Sequence, residues 1–435
     1  MQDIIQELSW RGLIHQTTNP ETIAGWLREK PRTVYIGFDP TADSLHVGHL
    51  VALMNLRRFQ QFGHRPIALA GCATGMIGDP SGKSEERKLL TKEQIEANLE
   101  GVEKQFRQFL RFDAPSHGGQ SPTPTGAILA NNADWFSKLS YIDFLRDVGK
   151  HFPVSMMLAK DSVRLRLDNT ESGLSFTEFS YMLMQSYDFV QLYERHHCEM
   201  QLGGSDQWGN ITMGCEYARR IGIRGQLQGL TSPLLTKSDG GKMGKTESGT
   251  LWLDPRRTPP YQFYQYWINL DDADVEKTLK IFTDLTQQEI VDVMATHQTD
   301  PGKRTAQRKL ADELTRLVHG DGGLQTAKRA TEIFFGGEIV ALDDASLCSI
   351  FADVPSKELP KQRLAEGLSV IDAFVESGLS SSKSEARRTI QQGGANINNR
   401  PMTDEKALLT VEHLASESVL VLRTGKKKYA LLRFT

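Results

Sequence analysis

Cysteine is scarce in this chain, and long hydrophobic runs are missing. The only cysteines among the 435 residues are scattered without metal-ligand spacing: Cys72, Cys198, Cys215 and Cys348. This usage argues against a disulfide framework and against a cysteine-based zinc site. No apolar run approaches the roughly 20 residues that a membrane span needs, and the first ten residues lack the basic and apolar regions of a secretory leader. The sequence therefore predicts a cytoplasmic protein that does not bind membranes.

The positive and negative charges of the chain are nearly balanced. The 51 Lys and Arg residues against 54 Asp and Glu residues give a formal net charge of −3 at pH 7. Any contact with nucleic acid must therefore come from a local basic patch, because the whole-molecule field is too weak. A hydrophobic content of 39% and a charged content of 24% are ordinary for a globular protein. The length predicts about three domains.

Between residues 33 and 236, short β-branched runs alternate with helical patterns. Thr33–Phe38 and Pro66–Gly71 predict two strands, separated by an amphipathic helix that ends near Gly63. Further along, Glu199–Leu202 leads into a glycine turn, another helix and the apolar run Gly229–Leu235. Units of this kind predict an α/β fold with a doubly wound parallel, Rossmann-like sheet. Ligands of such sheets bind beyond the carboxyl ends of the strands.

Composition predicts the remaining domain boundaries. The Rossmann-like catalytic domain covers 1–236, with an insertion at about 118–174 that begins in a stretch rich in Gly, Pro and Thr. A lysine-containing loop and a small α-helical domain follow at 237–335, because the later part shows amphipathic helical patterns without strand patterns. Gly and Pro residues predict a linker at 336–362, and 363–435 forms a small, locally basic domain.

Two short motifs indicate phosphate chemistry. His46-Val47-Gly48-His49 follows the first predicted strand and opens the first helix, where backbone N–H groups and the helix dipole favour phosphate. Lys242-Met243-Gly244-Lys245-Thr246 is a glycine loop with two ammonium groups, which suits the charge that builds on a pyrophosphate leaving group. Together the two motifs resemble the signatures of class I aminoacyl-tRNA synthetases, whereas the short histidine motif alone would be only a hypothesis.

A third pattern lies on one buried helix. Ser175 and Glu178 form a capping box that starts a helix running to about residue 194. Tyr181, Gln185 and Asp188 then share one face of a helix whose other residues are mostly apolar. Buried polar groups need partners, so this face predicts either an internal hydrogen-bond network or a ligand site.

That helix resembles the amino-acid site of bacterial tyrosyl-tRNA synthetases, and the match extends over essentially the full length. The family pattern Tyr-x-x-x-Gln-x-x-Asp stands here as Tyr181, Gln185 and Asp188, and Tyr35 matches the tyrosine of the first strand. The resemblance implies that Tyr35 and Asp188 bind the phenolic hydroxyl of L-tyrosine. It also implies that Tyr181, Gln185 and Asp79 bind the α-ammonium group. These enzymes are themselves the standard example of a hydroxyl-binding pocket that rejects phenylalanine.

The same resemblance implies activation by ATP, with Mg²⁺ carried by the substrate and no protein-bound metal. The groups expected to stabilise the phosphates are Thr41, His46, His49, Lys83, Arg87, Lys242 and Lys245. The groups expected to bind ATP, its ribose or the reacting carboxyl are Gly37, Asp39, His46, Gly48, His49, Gly204, Asp206, Gln207 and Lys245. Gly78–Ser84, which contains Lys83, is not a Walker loop because Ile77 replaces the required first glycine.

The C-terminal segment resembles the S4 RNA-binding domain. A capped basic helix carries Lys383, Arg387 and Arg388 and leads to a hairpin, where Asn398-Asn399 stands in place of the usual Asn-Gly. A second basic cluster, with the aromatic Tyr429, adds Lys426, Lys427 and Lys428. A charged helix face is often simply solvated, but two clusters predict contact with RNA phosphates. The family implies tRNA(Tyr) as partner and a homodimer, with the dimer contact between about Asn131 and Leu174.

Three alternatives remain open at this stage. The chain could be another nucleotidyl-transferase with the same histidine motif, a synthetase for tryptophan or another amino acid, or a non-catalytic RNA-binding protein. Tyr35 and Asp188 favour a phenolic substrate, and the two lysines of the loop favour catalysis. One departure from the family pattern is Ile36, which stands where relatives often have cysteine and removes a polar contact to the ribose.

Overall fold

A computed structural model describes residues 3–81, 89–113, 125–168, 173–246, 249–339, 342–351, 354–425 and 428–435. The chain forms two compact units. The first contains residues 1–254 and 270–310, and the second contains residues 255–269 and 311–435. No helix within the described ranges is both long enough and apolar enough to cross a membrane.

A six-stranded sheet forms the centre of the first unit. Its strands are β1 Gln16–Thr17, β2 Thr33–Phe38, β3 Arg65–Ala70, β4 Ile128–Asn131, β5 Cys198–Gly204 and β6 Gln228–Ser232. The order is β1-β6-β5-β2-β3-β4, and all neighbours are parallel except β1 and β6. The order reverses between β5 and β2, so a crevice for ligands opens at the carboxyl ends of these strands. The predicted doubly wound parallel sheet is confirmed. Two further strands of this unit, β7 Lys245–Thr246 and β8 Gly249–Thr250, pair with each other.

Helices cover this sheet and begin where the sequence places caps. His46, Thr91 and Ser175 each close a capping box at the start of a helix. The helices of this unit are α1 Ile4–Trp10, α2 Ile23–Glu29, α3 Val47–Gln61, α4 Lys92–Phe109, α5 Ala133–Phe136, α6 Tyr141–Asp143, α7 Val154–Leu158, α8 Asp161–Asp168, α9 Phe176–His196, α10 Trp208–Arg220, α12 Asp272–Phe282 and α13 Gln287–Thr299. Helix α11, Pro260–Ile268, lies in the second unit, and α14, Thr305–Phe334, begins in the first and is interrupted at Gly320.

Two buried arginines explain why residues 270–310 belong to the first unit. Arg58 of α3 donates to the carbonyl oxygens of Ile281 and Thr283, and Arg11 donates to those of Thr283 and Leu285. They satisfy carbonyl groups at the end of α12 that the helix itself leaves unpaired. Burial and then the nearby Arg11 lower the pKa of Arg58 to about 9. The structure thus divides the region that the sequence assigned to one helical domain, 237–335.

The predicted insertion also differs from the structure. Strand β4, Ile128–Asn131, lies within 118–174 but pairs with β3 as an edge strand of the main sheet. Four residues are too short a run for periodicity to distinguish from a loop. Short helices then occupy residues 133 to 168.

The second unit contains α11, most of α14 and the C-terminal domain. That domain has helices α15 Asp344–Ile350, α16 Gln362–Ala365, α17 Val370–Glu376 and α18 Lys383–Gln391. Its strands are β9 Ser356–Leu359, β10 Leu368–Ser369, β11 Ala395–Ile397, β12 Arg400–Pro401, β13 Leu408–Leu409, β14 Val419–Thr424 and β15 Lys428–Phe434. Five of these form a sheet in the order β12-β11-β14-β15-β9.

The segment predicted as a linker, 336–362, is therefore largely structured. It contains α15, and β9 pairs in parallel with β15 at the edge of the five-stranded sheet. Its Gly and Pro residues mark the ends of these short elements, because neither continues a helix or an inner strand. The predicted linker thus contains a helix and a strand of the C-terminal domain.

Candidate functional site

The two histidines of the first motif cap helix α3. Nδ1 of His46 accepts from the backbone N–H of Gly48 at 3.0 Å, and Nδ1 of His49 accepts from the N–H of His46 at 3.2 Å. Their rings stack with centroids 4.0 Å apart. Because Gly48 is exposed at this helix N-terminus, its surroundings suit a phosphate group.

The lysine loop contacts this helix directly. The N–H of Leu251 donates to the carbonyl oxygen of Gly244, and the N–H of Val47 donates to that of Leu251. Gly244 has a φ of 80°, and a Cβ atom built on it would lie 2.7 Å from Cβ of Val47. Glycine is therefore required at this approach. Two motifs separated by about two hundred residues of sequence meet here, with Lys242 and Lys245 exposed beside them.

Helix α12 holds the base of the same loop. Both carboxylate oxygens of the buried Asp274 accept from the backbone N–H of Ser238, at 2.9 and 3.0 Å. The Ser238 hydroxyl donates a third hydrogen bond to Asp274 at 3.0 Å. Three hydrogen bonds to one carboxylate restrict the turn that precedes Lys242. Asp274 could not be predicted, because nothing local in the sequence marks a helical aspartate as the partner of a distant loop.

A buried phenol and a buried carboxyl lie near one another behind the carboxyl end of β2. The side chain of Tyr35 is 1% exposed, and its hydroxyl has no hydrogen-bond partner among the described residues. Burial, followed by the charge of Asp188, raises the pKa of Tyr35 well above its ordinary value. A buried hydroxyl without a partner is costly, so it indicates a position that a ligand completes.

Asp188 is held by two donors from the segment after β4. Nε1 of Trp135 donates to one carboxyl oxygen at 2.8 Å, and Nδ2 of Asn132 donates to the other at 3.1 Å. Burial raises the pKa of Asp188 to about 8, against the opposing effect of these two hydrogen bonds. Asn132 and Trp135 are themselves buried, so their side chains serve this site.

A chain of hydrogen bonds connects Asp188 with Tyr181. Asn132 also donates to the hydroxyl of Thr74 at 2.9 Å, and that hydroxyl donates to Asp39 at 2.7 Å. The other carboxylate oxygen of Asp39 accepts from the Tyr181 hydroxyl at 2.9 Å. Asp39, which was predicted among the ATP-binding residues, therefore orients Tyr181.

The remaining predicted amino-acid ligands form a second polar group. Nε2 of Gln207 donates to Asp79 at 2.7 Å, and Nε2 of Gln185 donates to Oε1 of Gln207 at 3.2 Å. Nδ2 of the buried Asn210 donates to Gln185 at 3.0 Å. The hydroxyl of Ser81 lies 3.3 Å from the same Asn210 nitrogen. Structure and sequence thus agree that Asp79, Gln185 and Gln207 lie together, while Asn210 was missed because its sequence context resembles only a glycosylation motif.

The predicted ATP ligands line the crevice at the carboxyl ends of β2 and β5. Gly37 and Thr41 are exposed, and Gly204 leads into a short 3₁₀ helix that contains Asp206. Burial and then Asp79 raise the pKa of Asp206. The described residues include no group of three or more His, Cys, Asp or Glu side chains that could hold a metal ion. Lys83 and Arg87 lie outside the described residues.

The predicted RNA-binding residues lie on the C-terminal domain. Lys383, Arg387 and Arg388 are exposed on α18, and Lys428 is exposed at the start of β15. Lys383 pairs with Asp372 at 2.7 Å and Arg387 with Glu405 at 3.6 Å. Exposed ion pairs of this type contribute little to stability, so phosphates can replace these partners.

Two predictions about the second basic cluster have different outcomes. Lys426 and Lys427 lie outside the described residues. Tyr429, which the sequence placed with this basic cluster, is only 4% exposed and does not present its ring at the surface. Alternation along β15 turns its ring into the core of the second unit.

Comparison with known proteins agrees with this geometry. The family model described as tRNA synthetases class I (W and Y) matches residues 27–336. A second model, the tyrosine–tRNA ligase SYY-like C-terminal domain, matches residues 346–432.

Relatives that match along the whole chain, and one solved structure, indicate the same family. A tyrosine–tRNA ligase of Rhodopirellula baltica is 54% identical over 99% of this chain and 96% of its own length. One from Roseiflexus castenholzii is 52% identical over the whole of both chains. A truncated mitochondrial tyrosyl-tRNA synthetase of Aspergillus nidulans superposes with a TM-score of 0.67, at 31% identity, over 76% of this chain and 94% of its own. The chain belongs to the class I tRNA synthetases of the W and Y group and, within that group, to the tyrosine–tRNA ligase family.

Proposed function

We propose that this chain joins L-tyrosine to tRNA(Tyr) in two steps. In the first, a carboxylate oxygen of tyrosine attacks the α-phosphorus of Mg·ATP, and the bond to pyrophosphate breaks as tyrosyl-adenylate forms. In the second, a hydroxyl of the 3′-terminal ribose of the tRNA attacks the adenylate carbonyl, and AMP leaves. The observation that carries the proposal is the unpartnered, buried Tyr35 hydroxyl near Asp188. These two groups can form hydrogen bonds with the phenolic hydroxyl of tyrosine. Phenylalanine has no hydroxyl and would leave both groups without a partner.

The α-ammonium group of tyrosine would bind to Tyr181, Gln185 and Asp79. The Tyr181 hydroxyl already donates its hydrogen to Asp39. Only lone pairs of that hydroxyl remain for a ligand, and lone pairs accept from an ammonium group. Gln207 and Asp206 would position the reacting carboxyl and the ribose.

Positioning and electrostatics would supply the catalysis, without a covalent enzyme intermediate. Backbone at Gly37, Gly48 and Gly204 lets ATP approach the sheet closely. The phosphates would meet the cap of α3 and the lysine loop, with the charge on pyrophosphate stabilised by Thr41, His46, His49, Lys83, Arg87, Lys242 and Lys245. The contact between Gly244 and Val47 supports this role, because it brings both motifs to one place.

The tRNA would bind the basic face of the C-terminal domain, through Lys383, Arg387, Arg388, Lys426, Lys427 and Lys428. Phosphate contacts of this kind supply affinity that weakens as salt rises. We place the reaction in the cytoplasm, where charged tRNA is consumed.

We also propose that the chain forms a homodimer through the surface of residues 141–168 and of Phe176. Large exposed apolar side chains concentrate there: Tyr141, Ile142, Leu145, Val154, Leu158, Leu165, Leu167 and Phe176. An apolar concentration of this size is typical of an interface between subunits. Sedimentation of Ile142→Asp, against Leu408→Asp as a matched exposed control, tests this part. A wild-type monomer at micromolar concentration would contradict it.

Amino-acid-dependent exchange of labelled pyrophosphate into ATP tests the central proposal. We expect exchange with tyrosine alone among the twenty amino acids. Lys245→Ala should slow exchange far more than it weakens tyrosine binding. Replacing Lys383, Arg387 and Arg388 together with alanine should leave exchange intact and reduce charging of tRNA. No exchange with any amino acid would refute the proposal and favour a different nucleotidyl-transferase or a non-catalytic RNA-binding protein.

A further inference from the structure

The turn between β11 and β12 contains two asparagines in the left-handed conformation. Asn398 has a φ of 50° and Asn399 a φ of 63°, a region where glycine is the least costly residue. The side chain of Asn398 explains why an asparagine occurs at this position, because it forms hydrogen bonds within the C-terminal domain. Its Nδ2 donates to the carbonyl oxygen of His413 at 2.7 Å, and its Oδ1 accepts from the N–H of Val421 at 3.0 Å.

The side chain of Asn399 instead reaches the end of helix α14. Its Nδ2 donates to the carbonyl oxygens of Ile333 at 2.7 Å and Gly337 at 2.8 Å. Ile333 lies in the last turn of α14 and Gly337 just beyond its end, so a residue of the C-terminal domain contacts this end of the helix. The Ile333 carbonyl also accepts from the N–H of Gly336.

Tyr429 completes this contact. Its hydroxyl lies 3.1 Å from the carbonyl oxygen of Ile333 and 3.1 Å from Oδ1 of Asn399, and it can donate to either. Its ring meets Phe334 edge-on at 5.0 Å, and Phe334 stacks on Tyr261 at 4.6 Å. Aromatic side chains from α11, α14 and β15 therefore pack around the same polar group.

We propose that these residues form a joint that fixes the C-terminal domain on the end of α14, and that charging of tRNA depends on it. The joint consists of Asn399, Tyr429, Phe334 and the carbonyl groups of Ile333 and Gly337. A turn alone would be better served by glycine at residue 399, so the asparagine side chain is retained for the joint. Asn399 is a positioning residue, because it holds the basic face of α18 in a constant direction relative to α14.

This inference rests on the proposed function, and its consequences divide the two steps of the reaction. Tyrosine activation involves the first unit, whereas charging also needs the tRNA held on the C-terminal domain. Loosening the joint should therefore raise the KM for tRNA and leave pyrophosphate exchange unchanged.

Asn399→Gly in the full-length chain tests the joint. The substitution keeps the left-handed turn and removes only side-chain hydrogen bonds, so the domain should stay folded. Hydrogen exchange protection across residues 330–339 should fall about tenfold to thirtyfold. The kcat/KM for tRNA should fall about tenfold through KM, corresponding to a net loss of one or two hydrogen bonds.

His197→Gly is the matched control. His197 is also a non-glycine residue with positive φ, 53°, but its side chain is exposed at the end of α9. We expect this variant to match the wild type in protection at 330–339 and in charging.

Tyr429→Phe is the second test, because it removes one hydroxyl and keeps the aromatic packing. It should produce a smaller change in the same direction for both measurements. Unchanged protection at 330–339 in both variants would overturn the joint. Lost protection with unaltered charging would overturn its role in tRNA use. Absence of tyrosine-dependent exchange in the wild type would refute the proposed function instead, and hydrogen exchange would still decide whether the joint exists.

Discussion

Two buried tyrosines, one in each unit, differ in the partners of their hydroxyl groups. Tyr35 is 1% exposed, and its hydroxyl has no partner among the described residues. Tyr429 is 4% exposed, and its hydroxyl lies within hydrogen-bond distance of Ile333 and Asn399. Both rings pack against aromatic neighbours, so hydrophobic burial does not distinguish the two environments.

The difference separates a ligand site from a structural contact. A polar group that folding alone leaves unsatisfied costs stability, and such groups persist where binding supplies the missing partner. A polar group that is fully satisfied contributes to stability and specifies one arrangement of the surrounding elements. Substitutions around Tyr35 should therefore change tyrosine activation, whereas substitutions around Tyr429 should change the stability of the fold.

The largest effect should come from Asp188→Asn. An amide replaces one of the two acceptor oxygens by an NH₂ group, so either Trp135 or Asn132 faces another donor, and the phenol site loses an acceptor. We expect kcat/KM for tyrosine in pyrophosphate exchange to fall roughly 100-fold, because a buried donor left without a partner adds to the lost contact with the substrate. The KM for ATP should change little. A loss smaller than threefold would contradict the assignment of Asp188 to the substrate.

The pKa of Asp188 should make stability depend on pH. Because burial raises this pKa to about 8 from 3.8, the protonated form is favoured in the folded state. The stabilisation that this protonated carboxyl provides is complete below about pH 4 and is lost as pH rises to about 8. Over that range the free energy of unfolding falls by about 1.4 kcal/mol per pH unit. Urea unfolding at pH 5.5 and 7.5 should show a larger decrease in the free energy of unfolding for wild type than for Asp188→Asn. Equal decreases would show that Asp188 is ionised in the folded protein throughout this range.

Removal of each hydroxyl tests the comparison directly. Tyr35→Phe should lower kcat/KM for tyrosine about tenfold, without lowering the free energy of unfolding, because no hydrogen bond of the unliganded fold is lost. Tyr429→Phe should lower the free energy of unfolding by about 1 kcal/mol and leave tyrosine activation unchanged. Exchange assays and urea unfolding on both variants measure these effects. The comparison fails if the two variants give the same pattern.

The smallest effect should follow from loosening the lysine loop. Asp274→Asn weakens the hydrogen bonds to Ser238 that restrict the turn before Lys242. We expect the exchange rate at saturating tyrosine to fall about threefold to tenfold, because the ammonium groups are less well positioned. Equilibrium dialysis should give an unaltered tyrosine affinity. Ser238→Ala removes only the hydroxyl bond, and a loss as large as that of Asp274→Asn would argue against the backbone contact as the cause.

Much of the fold and of the site was predictable from short patterns. The strand at 33–38, the helix that begins at Ser175 and the shared face of Tyr181, Gln185 and Asp188 all depend on neighbours within a few turns of chain. Strand β4 and the ordered segment after Gly337 were missed. Their runs are short, and pairing with β3 or β15 decides their structure.

Sequence by itself determined the parallel α/β architecture, the family and the residue types available for phosphate and phenol binding. These follow from periodicity, capping and motifs, all of which are local. Only the tertiary structure decided which polar groups satisfy one another: Asn132 and Trp135 on Asp188, Asp39 on Tyr181, Asp274 on Ser238 and Asn399 on the end of α14. Partners in these pairs are far apart along the chain, and the pairing arises because a buried donor or acceptor is costly unless it finds a partner.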